Sequence, residues 1–291
     1  MSTGNLKYQF SRINIAEKLI VINVAIFLIN RLVTYLFQWG PNSILQWFEL
    51  PADFFAVLSQ PWSLVTYSFF HFSFGHIFWN MLILYFSGRI FLNLFGNRTF
   101  INVYFLGVIL GGLLFLLSYN VFPAFMGSRS ALIGASAGVT AVLIFICAYM
   151  PNQEVRLFFF NVKLWYIGAF VVLMDLVQIA AADNPGGRIA HLGGAFLGYY
   201  YARKLLQGKD IGKGFSAFMD SLASMFTKRE KKAPMKTVYR KKGNTKKNPA
   251  DYEKESRQRK IDAILDKISK SGYESLSKEE KDFLFKAGKE E

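Results

Sequence analysis

Three short segments place residues capable of nucleophilic chemistry among the glycines and alanines that let helices approach one another. The first holds His71, Gly75, His76 and Asn80, the second Gly134, Ala135, Ser136, Ala137 and Gly138, and the third Gly186, Gly187, Arg188, His191, Gly193, Gly194 and Gly198. All three histidines of the protein fall in the first and third segments. A serine becomes an effective nucleophile when a base within hydrogen-bond reach accepts its proton. Histidine titrates near neutrality and suits that task. Ser136 and His191 are therefore the candidate nucleophile and base. His76 and Asn80 are four residues apart, so on a helix they share a face and present two side-chain donors. If Ser136 opens a helix, the unpaired N–H groups and positive dipole end of its first turn add donors for an oxyanion. Each piece also has a plain structural reading: a serine among glycines is a packing motif, and a lone histidine or a His/Asn pair can join two helices. The joint pattern supports chemistry.

These segments need elements to hold them, and the sequence supplies long apolar runs. Six stretches approach the roughly 20 residues needed to cross a hydrocarbon core: 19–37, 77–95, 99–117, 135–150, 164–182 and 189–206. They do not alternate as barrel strands do, and lipid requires internally satisfied backbone, so helices are predicted. The expected fold class is an all-α polytopic membrane protein with six spans and a small soluble helical tail. Lys and Arg sit mostly on the side of the N-terminus, which predicts N-in and C-in. Spans 2, 4 and 6 then run the same way, and their starts, where the three segments lie, share one depth. The first residues are polar and do not read as a cleavable leader. Gly194 and Gly198, with Gly134 and Gly138, form small-residue strips expected to bring helices 4 and 6 close together.

Composition agrees. The 291 residues carry 34 Lys+Arg against 20 Asp+Glu, a net charge of +14. Residues 1–208 hold only 12 basic and 6 acidic groups, too few for a soluble domain. One cysteine, Cys147, rules out an internal disulfide and a zinc cage. No metal or cofactor is expected.

In their order and helix placement, the motifs Pro61-Trp62-Ser63-Leu64-Val65-Thr66, His71…His76-x-x-x-Asn80, Gly134-x-Ser136 and Ala190-His191-x-Gly193-Gly194-x-x-x-Gly198 resemble the rhomboid family of intramembrane serine proteases. The resemblance covers roughly residues 15–207 and is to the bacterial six-span type. It implies Ser136 as nucleophile and His191 as general base, in a dyad that requires no acid. It implies an oxyanion hole from His76, Asn80 and the Ser136 N–H, with His71 as an accessory residue nearby. It also implies a bacterial inner membrane as the location. Two positions depart from the family's usual pattern: Ala137 follows Ser136 where glycine is frequent, and Ser63 follows Trp62 where arginine is frequent. The first brings a methyl group to the cavity; the second bears on how the external loop is anchored. Asp175, about seven residues from the outer end of span 5, has two readings, an acid holding His191 in a triad or a structural residue. The resemblance implies the second.

The predicted organisation is an N-terminal segment 1–16, a membrane domain 17–207, an interfacial amphipathic helix 208–227, a basic linker 228–250 and a helical hairpin 251–291. Ten of the 20 residues 228–247 are Lys or Arg, which suits anionic lipid headgroups. Nucleic acid is not an expected partner, because the charge lacks a nucleic-acid-binding fold. Three functions compete. An intramembrane endopeptidase would cut transmembrane segments near the outer leaflet. A catalytically silent relative would bind transmembrane clients. A transporter would need paired repeats of interrupted helices, which the sequence lacks. Nothing in the sequence sets an oligomeric state.

Overall fold

The computed structural model describes residues 6–157, 159–226 and 249–288. The basic linker 228–250, apart from its last two residues, and the first five residues of the N-terminal segment lie outside them. The chain forms two compact units, Met1–Arg229 and Glu230–Glu291.

The first unit is a bundle of six helices: α1 Ile15–Leu36, α2 Phe74–Leu94, α3 Asn97–Val121, α4 Ser136–Tyr149, α5 Leu164–Ala180 and α6 Pro185–Leu206. Of these, α1, α2 and α3 are long and apolar enough to cross a membrane, and α4 and α5 are shorter apolar helices. The helix α6 matches α1 in length, but its five glycines and basic end make it less apolar. Large apolar side chains face outward around the bundle, among them Leu28, Leu32, Leu117, Phe170, Leu173 and Phe196. A water-soluble surface does not expose such a band. The protein is an all-α polytopic membrane protein.

Three of the six helices start at a side-chain cap. Asn14 and Glu17 form a reciprocal capping box on α1. The Ser73 side chain accepts from the His76 N–H and opens α2. Asn184 takes a left-handed backbone (φ 48°), its side chain accepts from the Gly187 N–H at 3.3 Å, and Pro185 fills the first turn of α6.

The helix α4 sits in the middle, packed against α3 and, most extensively, α6. Lipid tails are as apolar as leucine, so helices in a membrane associate through close packing rather than by leaving water. Glycines provide that closeness on both flanks of α4. A Cβ on Gly107 or Gly111 of α3 would meet the methyl groups of Ala141 and Ala137 at 2.4 and 2.7 Å. A Cβ on Gly194 or Gly198 of α6 would meet the carbonyl oxygens of Ala137 and Ala141 at 2.1 and 2.2 Å. Two of the four glycines expected to join helices 4 and 6 act elsewhere. Gly138 faces Tyr104 and Val108 of α3, and Gly134 precedes the helix altogether. The reason is rotational: α4 turns its Gly138 side toward the bulkier neighbour.

Two small sheets had no counterpart in the sequence reading. In the loop between α1 and α2, β1 (Leu50–Pro51) pairs antiparallel with β2 (Ala131–Leu132), just before α4. In the loop between α4 and α5, β3 (Glu154–Leu157) pairs with β4 (Phe160–Lys163). The long external loop is held further by Trp62 Nε1 donating to the Trp47 carbonyl at 2.8 Å, and by Thr66 Oγ1 donating to that of Phe48 at 2.9 Å. Ser63 is fully buried beside these tethers.

After α6, the helix α7 (Lys213–Phe226) lies at the end of the bundle where α3 begins. Ser216 Oγ donates to Asn102 Oδ1 at 3.0 Å, and Arg98 pairs with Asp220 at 2.9 Å. The Tyr201 hydroxyl donates to Asp210 in the connecting turn. Phe218, Met219, Leu222 and Met225 of α7 remain exposed.

The second unit contains α8 (Pro249–Ser271) and α9 (Lys278–Ala287). Gly272, at φ 77°, follows the end of α8, and Ser277 with Glu280 forms a capping box on α9. Lys267 pairs with Glu280 at 2.8 Å.

Candidate active site

Ser136, His191, His76 and Asn80 line one cavity of about 420 Å³ together with Gly75, Trp79, Ile133, Asn184, Gly187 and Arg188. The starts of α2, α4 and α6 therefore meet at one end of the bundle. Ser136 is the first residue of α4, where backbone N–H groups lack intrahelical partners and point toward the cavity end. His191 lies in the second turn of α6, beyond Arg188.

The turn before Ser136 is tightly fixed. Gly134 has φ +122°, and a Cβ there would lie 2.6 Å from His76 Nε2. Both facts demand glycine. Its N–H donates to the Tyr67 carbonyl at 2.9 Å. The Ala135 N–H donates to His71 Nε2 at 3.3 Å. His71 thus stands behind the turn and outside the cavity wall, and its ring meets that of His76 edge-on at 5.0 Å. Burial first, and the neighbouring His76 second, push the His71 ring down to about 3. It stays neutral at any physiological pH, as an acceptor at Nε2 must.

His191 has a partner on α5. Its Nδ1 lies 3.0 Å from Asp175 Oδ1. Asp175 is 3% exposed, and the same oxygen accepts from Arg188 Nη1 at 3.2 Å. With Nδ1 facing a carboxylate, Nε2 is the nitrogen left for the cavity. Of the two readings of Asp175, the structure brings the acid to His191. Among the described residues Ser136 Oγ makes no hydrogen bond to His191. In unliganded sites such bonds are often long and shorten in the complex.

Asn80 Nδ2 donates to the His76 carbonyl at 3.0 Å, a bond back along its own helix. The methyl group of Ala137 does not enter the cavity. It packs on Gly111 of α3. Arg188 was read from sequence only as a topology charge. Its spacing of three from His191 was the signal that both share a face. Among the described residues no three His, Cys, Asp or Glu side chains gather to hold a metal ion.

Comparison with known proteins follows the two units. The rhomboid domain family matches residues 58–208. A family of unknown function (DUF6576) matches residues 249–287. RHOMBOID-like protein 12, mitochondrial, of Arabidopsis thaliana is 31% identical over 145 residues, 46% of this chain and 43% of that protein. Presenilin-associated rhomboid-like protein, mitochondrial, is 28% identical over 148 residues in both Rattus norvegicus and Homo sapiens, 50% of this chain and 38% of each relative. The chain thus spans less than half the length of these curated relatives. Their names place them in mitochondria, and the expected bacterial inner-membrane location is corrected on that finding. The bacterial assignment came from the resemblance alone.

Proposed function

Because the chain belongs to the rhomboid family, we propose that it is an intramembrane serine endopeptidase that cleaves transmembrane segments of other proteins. The observation that carries the reading is the single cavity shared by Ser136, His191, His76 and Asn80 at one end of the bundle.

In the proposed reaction, Ser136 Oγ attacks a peptide carbonyl of the bound segment while His191 Nε2 takes the hydroxyl proton. The carbonyl oxygen becomes an oxyanion, received by the Ser136 N–H and the side chains of His76 and Asn80. Collapse breaks the C–N bond, and the imidazolium returns its proton to the leaving amine. Water then attacks the acyl-enzyme with His191 again as base, releasing a carboxylic acid and restoring the Ser136 hydroxyl. A helical substrate shields its peptide bonds, so segments with helix-breaking residues near the cut are favoured. With the N-terminus inside, cleavage falls near the outer leaflet. On the opposite face, the exposed apolar side of α7 and the basic residues that follow it suit an anionic lipid surface.

Asp175 is a positioning residue in this scheme: it fixes the His191 tautomer and steadies the imidazolium. Asp175→Asn is expected to lower kcat by on the order of 10²- to 10⁴-fold while KM moves little. Arg188→Gln, which removes the other partner of the same oxygen, should leave most of kcat. A fall in thermal stability that tracks the loss of rate in both variants would instead mark Asp175 as structural.

The test of the reading is labelling of the purified protein by a serine-reactive fluorophosphonate. Labelling that disappears in Ser136→Ala and His191→Ala is the expected result. A folded protein that neither labels nor cuts a transmembrane peptide would support the alternative, a catalytically silent binder of transmembrane clients. The relatives' "rhomboid-like" names keep that alternative in play.

A further inference from the structure

A second cavity, of about 390 Å³, adjoins the first on the side of the external loop. The two share three walls, His76, Ile133 and Asn184. The second cavity is thus next to the one that holds Ser136. The second cavity adds Asn42 and Ser73, and one carboxylate, Glu49.

The position of Glu49 is built into the fold. Its N–H donates to the Leu45 carbonyl at 2.9 Å. The next residue, Leu50, is fully buried and pairs with Leu132 in the β1–β2 ladder. The same ladder precedes Ser136 by a few residues, so carboxylate and nucleophile hang from one short sheet. Among the described residues, the Glu49 side chain has neither an ion pair nor a hydrogen bond. Arg31 of α1 is engaged by the carbonyl of Phe72, which lines the same cavity. Partial burial raises the Glu49 pKa from its ordinary value. A carboxylate drawn from water without a partner is costly, and a cation with N–H donors relieves that cost.

We infer that this cavity is a specificity subsite, in which Glu49 receives a lysine or arginine side chain of the substrate on the loop side of the scissile bond. The inference rests on the reading of the first cavity as a site for transmembrane segments. It gives the preferred substrate class a chemical mark: a transmembrane segment with a basic residue close to the cut. Lys and Arg are concentrated at the inner ends of transmembrane helices, so a basic residue beside an outer-leaflet cut would be a selective mark.

The experiment uses the full-length protein with Ser136→Ala, which binds without turnover, and three transmembrane peptides identical except for Lys, Gln or Glu at the positions flanking the cut. The Lys peptide is expected to bind about 10-fold more tightly than the Gln peptide, and the Glu peptide more weakly than either. Adding Glu49→Gln should erase the Lys preference, and Glu49→Lys should transfer it to the Glu peptide. Both variants should keep the parent's thermal unfolding midpoint. A Lys-to-Gln ratio unchanged by Glu49→Gln, or no binding of any peptide, overturns the inference. Failure of the protease reading is seen separately, as absent fluorophosphonate labelling of the protein with Ser136 intact, and leaves the binding ratio readable.

Discussion

Replacing either Ser136 or His191 by alanine is expected to lower cleavage of a transmembrane peptide by about 10⁴-fold or more, and replacing both to cost no more than replacing one. The two side chains serve a single proton transfer. Without His191 the serine hydroxyl keeps its proton, and without Ser136 the imidazole has no proton to take. Their separate removal therefore destroys the same step. Neither change should unfold the chain. Ser136 Oγ makes no hydrogen bond among the described residues, and Asp175 keeps Arg188 when His191 is gone. The measurement is the initial rate for the two single variants and the double variant, each with its unfolding midpoint. Losses that multiply, so that the double variant is far worse than either single one, would mean the residues act in separate steps and the dyad is wrong.

The second large effect concerns packing. Gly194→Val or Gly198→Val is expected to lower the unfolding midpoint in detergent by roughly 10 °C and to abolish activity with it. A side chain at either position runs into a carbonyl oxygen of α4 at about 2 Å. Backbone cannot change rotamer, so α6 must move away from α4 as a body. His191 would travel with it. A useful contrast is Gly214→Ala on α7, where a new Cβ meets nothing within 4 Å; that change is expected to be neutral or slightly stabilising. Equal effects at all three positions would show that closeness of α4 and α6 is not what these glycines provide.

Much of the scaffold could be read from residues. Apolar runs located all six helices because a span must be long and continuous, while the caps at Asn14, Ser73 and Asn184 emerged only with the structure. The gathering of Ser136, His191, His76 and Asn80 followed from helix direction, since alternate helices start at one face. What could not be read depends on rotation and on short pairings. Asp175 and His191 lie 16 residues apart on separate helices, and spacing alone does not say which way each helix is turned. The same holds for Ala137, whose methyl group faces α3 rather than the cavity. The strands β1 and β2 have two residues each, too few to show an alternating pattern, yet they suspend the external loop beside Ser136. The location was a different kind of error, carried over from the resemblance rather than argued from any residue.

The short helices have a consequence for the lipid around them. At 1.5 Å per residue, the 14 residues of α4 rise about 21 Å and the 17 of α5 about 26 Å, against a hydrocarbon core of about 30 Å. The deficit of α4 is hidden between α3 and α6. That of α5 is not, because Phe170, Leu173, Leu176 and Val177 face outward along it. Acyl chains beside α5 must shorten to meet it, at a cost of fractions of a kcal/mol for each ångström. Thinning of the bilayer on this flank of the protein is therefore expected, and its cost grows with acyl-chain length. Membrane thickness becomes a variable to which this molecule responds, through a helix five residues shorter than the α6 beside it.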